Sequence, residues 1–435
     1  MLVAGRPPAG VGSAGRWFSE LSFDTAGVDA QCDPSPINAT HFTNRGWIDS
    51  GLLRRFAREL VKIALIEPKS PVSLTRSQLM KITGFEIEYY ESETIPYDWR
   101  DGLVGGRGGM VRQPVLRVKT DADIDGIVWL RNEAISLDVV QRCLASRFVG
   151  SDPLMREKLW SEMWELDRLE ELPMYALGYL DVAVWDIAAK AAGQPLFQFL
   201  GGHKSRAKAY ASTVTVKTVD DYLRLADRCL EAGYKAIKLH VWGRIREDIA
   251  LVRQLRQHVG PDIELMLDGS AGYTLEESIL LGRAMEDCDY LWLEEPMREF
   301  NLYAYERLCD TLDIAVLAAE CTDGCHFNAA EWLRHGACDR LRTSWFFKGG
   351  FTGAIKVGNL AESFQIQADV HGGGPASLAL VCALPNSLYF EVLVPEEVLP
   401  DATLRGPILP DSDGWVYPSL EPGIGWEPDP AKRVQ

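Results

Sequence analysis

Three short apolar runs, each closed by an acid, decide how this chain folds: Leu265-Met266-Leu267-Asp268, Leu291-Trp292-Leu293-Glu294 and Val316-Leu317-Ala318-Ala319-Glu320. The acids stand 26 residues apart in both steps. A continuous apolar run of strand length, without polar alternation, is how a strand buried on both faces reads. Helix-like segments separate the runs, such as Thr274 to Met285, where Thr274 and Glu277 have the spacing of a capping box. Strand–helix–strand units of this period lay their strands parallel with like ends aligned. Asp268, Glu294 and Glu320 are therefore expected to meet at the C-terminal edge of one sheet. Three converging carboxylates repel one another, and a hard divalent cation relieves that repulsion. Oxygen-only ligands suit Mg²⁺.

Working outward, the alternation runs from Ala207 to about Val394, with strands ending near Ser212, His240, Asp268, Glu294, Glu320, Ser344, His371 and Glu391. Eight parallel strands with crossover helices define an α/β fold of the (β/α)8 TIM-barrel type. Before it, residues 80–206 read as an α+β capping domain. Two strands, Ile82 to Tyr90 and Pro114 to Thr120, flank a loop dense in Gly, Trp and Arg. A helix over Tyr179 to Lys190 stops at Gly193 and Pro195. Residues 1–79 read as a loosely ordered extension containing one amphipathic segment, Gly51 to Glu67, so that the functional unit could begin at Met80. Residues 395–435 read as a tail packing on the capping domain.

Composition narrows the function. The 435 residues are 47% hydrophobic and 25% charged, as in ordinary globular chains, and carry a net charge of −17. Such an acidic chain lacks the basic surface that nucleic acid requires. No apolar run approaches the ~20 residues of a membrane helix. The nine cysteines form no paired framework, which fits reduced thiols and a cytoplasmic location. Cys321 and Cys325 alone make a poor zinc site.

Active sites of such barrels lie at the C-terminal strand ends. The second strand, Ala236-Ile237-Lys238-Leu239-His240, puts Lys238 and His240 on one face. The seventh ends at His371 before Gly372-Gly373-Gly374, and the eighth brings Glu391. Carboxylates for a metal, flanked by cationic and imidazole groups, suit removal of a proton from carbon next to a substrate carboxylate. Glu391 is also open to a plain ion pair inside the barrel.

In its order of motifs the chain resembles the mandelate racemase type of the enolase superfamily. The resemblance spans roughly Met80 to Val394 and rests on Lys238-x-His240, Asp268-Gly269, Glu294-Glu295-Pro296, Ala-Ala-Glu320, Lys348-Gly349-Gly350, His371-Gly372-Gly373 and the Trp185-Asp186 helix. It implies Mg²⁺ on Asp268, Glu294 and Glu320, with Glu295 not a ligand. Lys238, His240, His371 and Glu391 are the implied catalytic groups, and a small carboxylate is the implied substrate. It further implies a specificity loop over Tyr97 to Met110 and a homo-oligomer; on the loop's composition, Trp99 and Arg100 are candidate substrate contacts.

Two positions depart from the pattern. The family's usual Lys-x-Lys is Lys238-x-His240 here, and the Asp that usually partners the strand-seven His is Ser344. Serine supplies no negative charge to His371. An unpaired His371 suits an acid better than the second base of a racemase. The expected reaction is therefore loss of water from an acid sugar, giving a 2-keto-3-deoxy acid. The alternatives are a racemase, epimerase or cycloisomerase, and a barrel that binds metal and ligand without turnover.

Overall fold

The computed structural model describes residues 80–130, 137–395 and 408–434, all within the compact unit Leu74–Gln435. The expected helix at Gly51 to Glu67 and the rest of the extension lie outside the described residues. Strands β1 (Ile82–Arg100), β2 (Leu103–Thr120) and β3 (Gly126–Trp129) form an antiparallel sheet. Helices α1 (Arg156–Glu170) and α2 (Tyr179–Ala191) follow. Helix α2 is apolar nearly all round and is buried along most of its length, wedged between the small sheet and the barrel.

The barrel strands are β4 (Ala207–Thr213), β5 (Ala236–His240), β6 (Glu264–Asp268), β7 (Trp292–Glu294), β8 (Ala315–Ala318), β9 (Arg340–Thr343), β10 (Ala368–Val370) and β11 (Tyr389–Val394). Each ladder between them is parallel, and β11 pairs back onto β4. Strands β10 and β11 are adjacent, completing the circle. The connecting helices include α3 (Val219–Glu231), α4 (Ile245–Val259), α5 (Leu275–Glu286), α6 (Leu302–Thr311), α7 (Cys325–Arg334), α8 (Phe351–Ser363) and α9 (Gly374–Ala383). Complete capping boxes start two of them, Thr218 with Asp221 on α3 and Thr274 with Glu277 on α5. In each, the side chains satisfy amides that have no partner inside the helix.

Period-two alternation sorts the barrel interior into layers. The lower layer is an apolar plug of Tyr210, Ala236, Met266, Trp292, Leu317 and Tyr389. Two residues beyond plug members stand Lys238, Asp268, Glu294 and Glu391, with Arg342 of β9 among them, all buried. The site thus rests on a packed aromatic floor.

The expected loop of the small domain is instead the end of a long hairpin. Strands β1 and β2 stay paired as far as Arg100↔Leu103. A Cβ on Gly106 would lie 2.5 Å from the Tyr97 ring, so this glycine is needed for the ring to lie across the ladder. Past the barrel, β12 (Trp415–Val416) pairs with β4, and β13 (Arg433–Val434) pairs with β1. The Trp426 ring stacks on Trp129 at 5.7 Å.

Candidate active site

Lys238 is the hub of the charged layer. Its ammonium is fully buried, 2.9 Å from Glu294, 3.0 Å from Glu391 and 3.7 Å from Asp268. Burial works against the charge, but Glu294 and Glu391 more than offset it and raise the pKa well above the usual lysine value. Glu391 is held well below the ordinary carboxylate range: burial opposes this, and Lys238, Arg342, His371 and the Gly372 amide outweigh it. Glu391 is thus engaged in the ion-pair arrangement the sequence left open.

Arg342, which no sequence motif singles out, is the second buried cation of this layer. Its Nε donates to Glu294 Oε1 at 2.7 Å, and Nη2 donates to Tyr210 Oη at 2.9 Å and to Glu391 Oε2 at 3.3 Å. The signal that could have found it is the one used for Lys238. An Arg inside a strand-length run, two residues from another inward position, needs buried partners.

His240 ends β5. Its Nδ1 is 2.6 Å from the Thr213 carbonyl oxygen, and Nε2 is 3.1 Å from Asp268 Oδ2. Backbone and side chain of Thr213 both grip this residue, since the His240 amide donates to Thr213 Oγ1 at 3.1 Å. Burial alone would raise Asp268, but His240 and Lys238 hold it below its usual value. The Trp99 ring, at the hairpin end, lies 4.6 Å from the His240 ring. Arg100 Cδ packs between Gly243 and Gly272, and its Nε is buried without a hydrogen-bond partner among the described residues. The hairpin end is tied to the barrel by the Asp101 amide donating to the Trp242 carbonyl at 3.2 Å and by Arg244 Nε on Asp101 at 2.9 Å.

His371 follows β10. Acids stand beside it, which the serine at position 344 gave no reason to expect. Its Nδ1 lies 2.7 Å from Glu320 Oε2 and 3.4 Å from Glu391 Oε2, although neither contact has hydrogen-bond geometry. Ser344 instead accepts the Phe347 amide at 3.1 Å, and the turn it shapes sets Phe346 against the His371 ring at 5.3 Å. The negative charge lacking at Ser344 is supplied by Glu320, which follows β8, and by Glu391 of β11.

Glu320 is placed by unusual backbone. Ala319 has φ 71° and Glu295 φ 36°, and the Glu320 amide donates to Glu295 Oε1 at 2.6 Å. Positive φ at non-glycine residues costs on the order of 1 kcal/mol each, and such residues gather at functional sites. Lys348 Nζ donates to the Ala319 and Thr322 carbonyls at 2.7 and 2.8 Å, pinning the same turn from below.

Among the described residues, ligand atoms of Glu294, Glu320 and His371 lie within 4.8 Å of one another, and Asp268 is turned towards His240 instead. Four carboxylates, Asp268, Glu294, Glu320 and Glu391, face two permanent cations, Lys238 and Arg342. Among these six groups negative charge exceeds positive by two, which one divalent cation balances. The donor set is oxygen-rich and buried and suits Mg²⁺.

A closed parallel barrel with acids at the strand ends and an α+β domain leaning over its mouth defines a barrel enzyme of proton abstraction. The chain belongs to the mandelate racemase/muconate lactonizing enzyme family: residues 221–432 match the enolase C-terminal domain-like model, and residues 101–201 match the mandelate racemase/muconate lactonizing enzyme N-terminal domain. Its structure resembles that of D-glucarate dehydratase from Agrobacterium tumefaciens complexed with magnesium, with a TM-score of 0.75, 31% identity, and coverage of 82% of this chain and 99% of that one. In sequence it is 26% identical over 348 residues to arabinonate dehydratase of Saccharolobus solfataricus, covering 76% of this chain and 92% of the relative. It is 30% identical over 235 residues to D-galactarolactone cycloisomerase of Agrobacterium fabrum, covering 52% of this chain and 62% of the relative.

Proposed function

We propose that this chain is a Mg²⁺-dependent hydro-lyase that removes water from an acid sugar, with His240 as the base and His371 as the acid. The observation that carries this reading is the unlike setting of the two imidazoles. His240 Nδ1 faces the Thr213 carbonyl, which only a protonated nitrogen satisfies, so Nε2 is the atom that exchanges a proton at the site. His371 Nδ1 instead faces two carboxylate oxygens, Glu320 Oε2 at 2.7 Å and Glu391 Oε2 at 3.4 Å. Relatives and structural neighbours named as dehydratases support the same chemistry.

Asp268, Glu294 and Glu320 would hold the cation. When bound, it fixes the substrate carboxylate and stabilises negative charge developing there. His240 Nε2 takes the proton from the carbon next to that carboxylate, and the electron pair moves towards the carboxylate. Departure of the hydroxyl on the next carbon, with a proton from His371, releases water and leaves an enol, which becomes the 2-keto acid. Lys238, fixed among carboxylates, adds positive charge beside them. The free Nε of Arg100 and the Trp99 ring would contact the substrate chain from above.

One observation favours an isomerase instead: two imidazoles reach one barrel mouth, as two-base chemistry requires, and one relative is a cycloisomerase. A screen of aldonates and aldarates with Mg²⁺ decides between them. The dehydratase reading expects 2-keto acid formation, lost in His240→Ala. Isomerised or cyclised product without 2-keto acid would establish the isomerase. Metal and ligand binding without turnover or α-deuterium exchange would establish a non-catalytic barrel.

A further inference from the structure

Arg342 stands inside the proposed metal cage, where a cation has no obvious place. Its guanidinium is fully buried, and its Nε lies 2.7 Å from Glu294 Oε1 and 3.7 Å from Glu320 Oε2. The remaining nitrogens are spent on Glu391, the Tyr210 hydroxyl and the Val370 carbonyl, the last at 3.0 Å. The other oxygen of Glu294 is also engaged, by Lys238 at 2.9 Å and Trp292 Nε1 at 3.1 Å. Glu294 therefore offers a metal no oxygen that is free of a protein donor. The planar fork of an arginine, always charged, suits this arrangement as a lysine would not.

We propose that Arg342 is a built-in counter-cation of the metal centre: it holds Glu294, Glu320 and Glu391 together without metal and, by the same charge, weakens the hold on Mg²⁺. This rests on the reading above that these carboxylates bind Mg²⁺. A permanent positive charge within hydrogen-bonding distance of a ligand oxygen repels a divalent ion bound to that oxygen, and burial screens the repulsion little. The same charge relieves repulsion among carboxylates otherwise left unpaired. Metal affinity is thus exchanged for a cage that keeps its shape between loadings. Arg342 is a positioning residue in this scheme and need not touch substrate.

The test is Mg²⁺ titration by calorimetry, with thermal unfolding in EDTA and in saturating Mg²⁺, on the full chain and on Arg342→Met. The proposal expects the variant to bind Mg²⁺ at least tenfold more tightly. It also expects a lower melting temperature in EDTA and a larger rise on adding Mg²⁺ than in the parent protein. Arg342→Lys, which keeps the charge, should stay within a few-fold of the parent affinity. Arg342→Gln repeats the measurement if the methionine variant does not fold. Unchanged or weaker Mg²⁺ binding by a folded neutral variant overturns the proposal while leaving the metal site standing. Absence of Mg²⁺ binding in both parent and variant overturns the metal reading itself, and this proposal with it.

Discussion

His240 Nδ1 points at the Thr213 carbonyl oxygen across 2.6 Å, and this contact between adjacent strands β4 and β5 fixes which nitrogen of the ring faces the site. The backbone holds Nδ1 while Nε2 stands 3.1 Å from Asp268 Oδ2, so the ring is held from both sides. His240→Ala should lower turnover by about 10²–10⁴-fold, the usual contribution of a positioned base. Mg²⁺ affinity should change far less, because His240 touches only Asp268 of the three proposed ligands and its removal leaves that carboxylate in place. Exchange of the substrate α-hydrogen in D₂O checks the assignment, since exchange at the parent rate in the variant would move the base to Lys238.

Trp99 reaches His240 from the hairpin end with ring centroids 4.6 Å apart, and Tyr97 buttresses it edge-on at 5.2 Å. Aromatic pairs of this kind contribute about 0.5–1.5 kcal/mol beyond burial. Trp99→Leu should therefore cost on the order of tenfold in kcat/KM, mostly through KM. Steady-state kinetics on the same acid sugar gives the split. A loss confined to kcat would place Trp99 in the chemistry rather than over the substrate.

What the sequence disclosed and what it withheld divide along a physical line. Each barrel strand is short and buried on both faces, so its apolar run and terminal polar residue are local signals. That is why Asp268 and Glu294 close β6 and β7 as the spacing implied. The hairpin was withheld because Gly105, Gly106, Gly108 and Gly109 read as a loop. In fact Gly106 makes room for the Tyr97 ring on the paired strand. Arg342 was withheld because a charged residue in a strand has meaning only through its partners, and Glu294, Tyr210 and Glu391 come from three other strands. The same holds for His371, whose nearest acid, Glu320, comes from two strands away.

Glu295 is buried, and burial together with Glu320, Glu299 and Asp268 raises its pKa well above the ordinary carboxylate value. It therefore works as a neutral acceptor for the Glu320 amide. Gln has the same shape and no charge, so Glu295→Gln should leave stability near that of the parent. Glu295→Ala strands a buried amide and opens a cavity, at about 2–4 kcal/mol. Denaturant unfolding of the two variants checks this. Equal, large losses would mean that the ionised form of Glu295 holds the turn.

Asp181 ties α2 to the start of α8: its Oδ2 accepts the Thr352 amide at 2.9 Å and its Oδ1 accepts the Thr352 hydroxyl at 2.6 Å. Burial, only partly offset by these hydrogen bonds, pushes the carboxyl up to about 7 from 3.8. A carboxyl raised in the folded state binds its proton more tightly there than in the unfolded chain. The fold thus has the full benefit of the neutral acid below about pH 4 and loses it progressively up to about pH 7, after which the loss is constant. A shift of this size corresponds to roughly 4 kcal/mol. Asp181→Asn should remove this slope, because the amide does not titrate and the Thr352 hydroxyl can turn to accept from it. Measured from pH 4 to 8, the parent's stability relative to the variant should fall as pH rises and level off near neutrality. A difference that does not vary with pH would mean that Asp181 stays ionised in the fold, held by Thr352 and by Arg156 nearby.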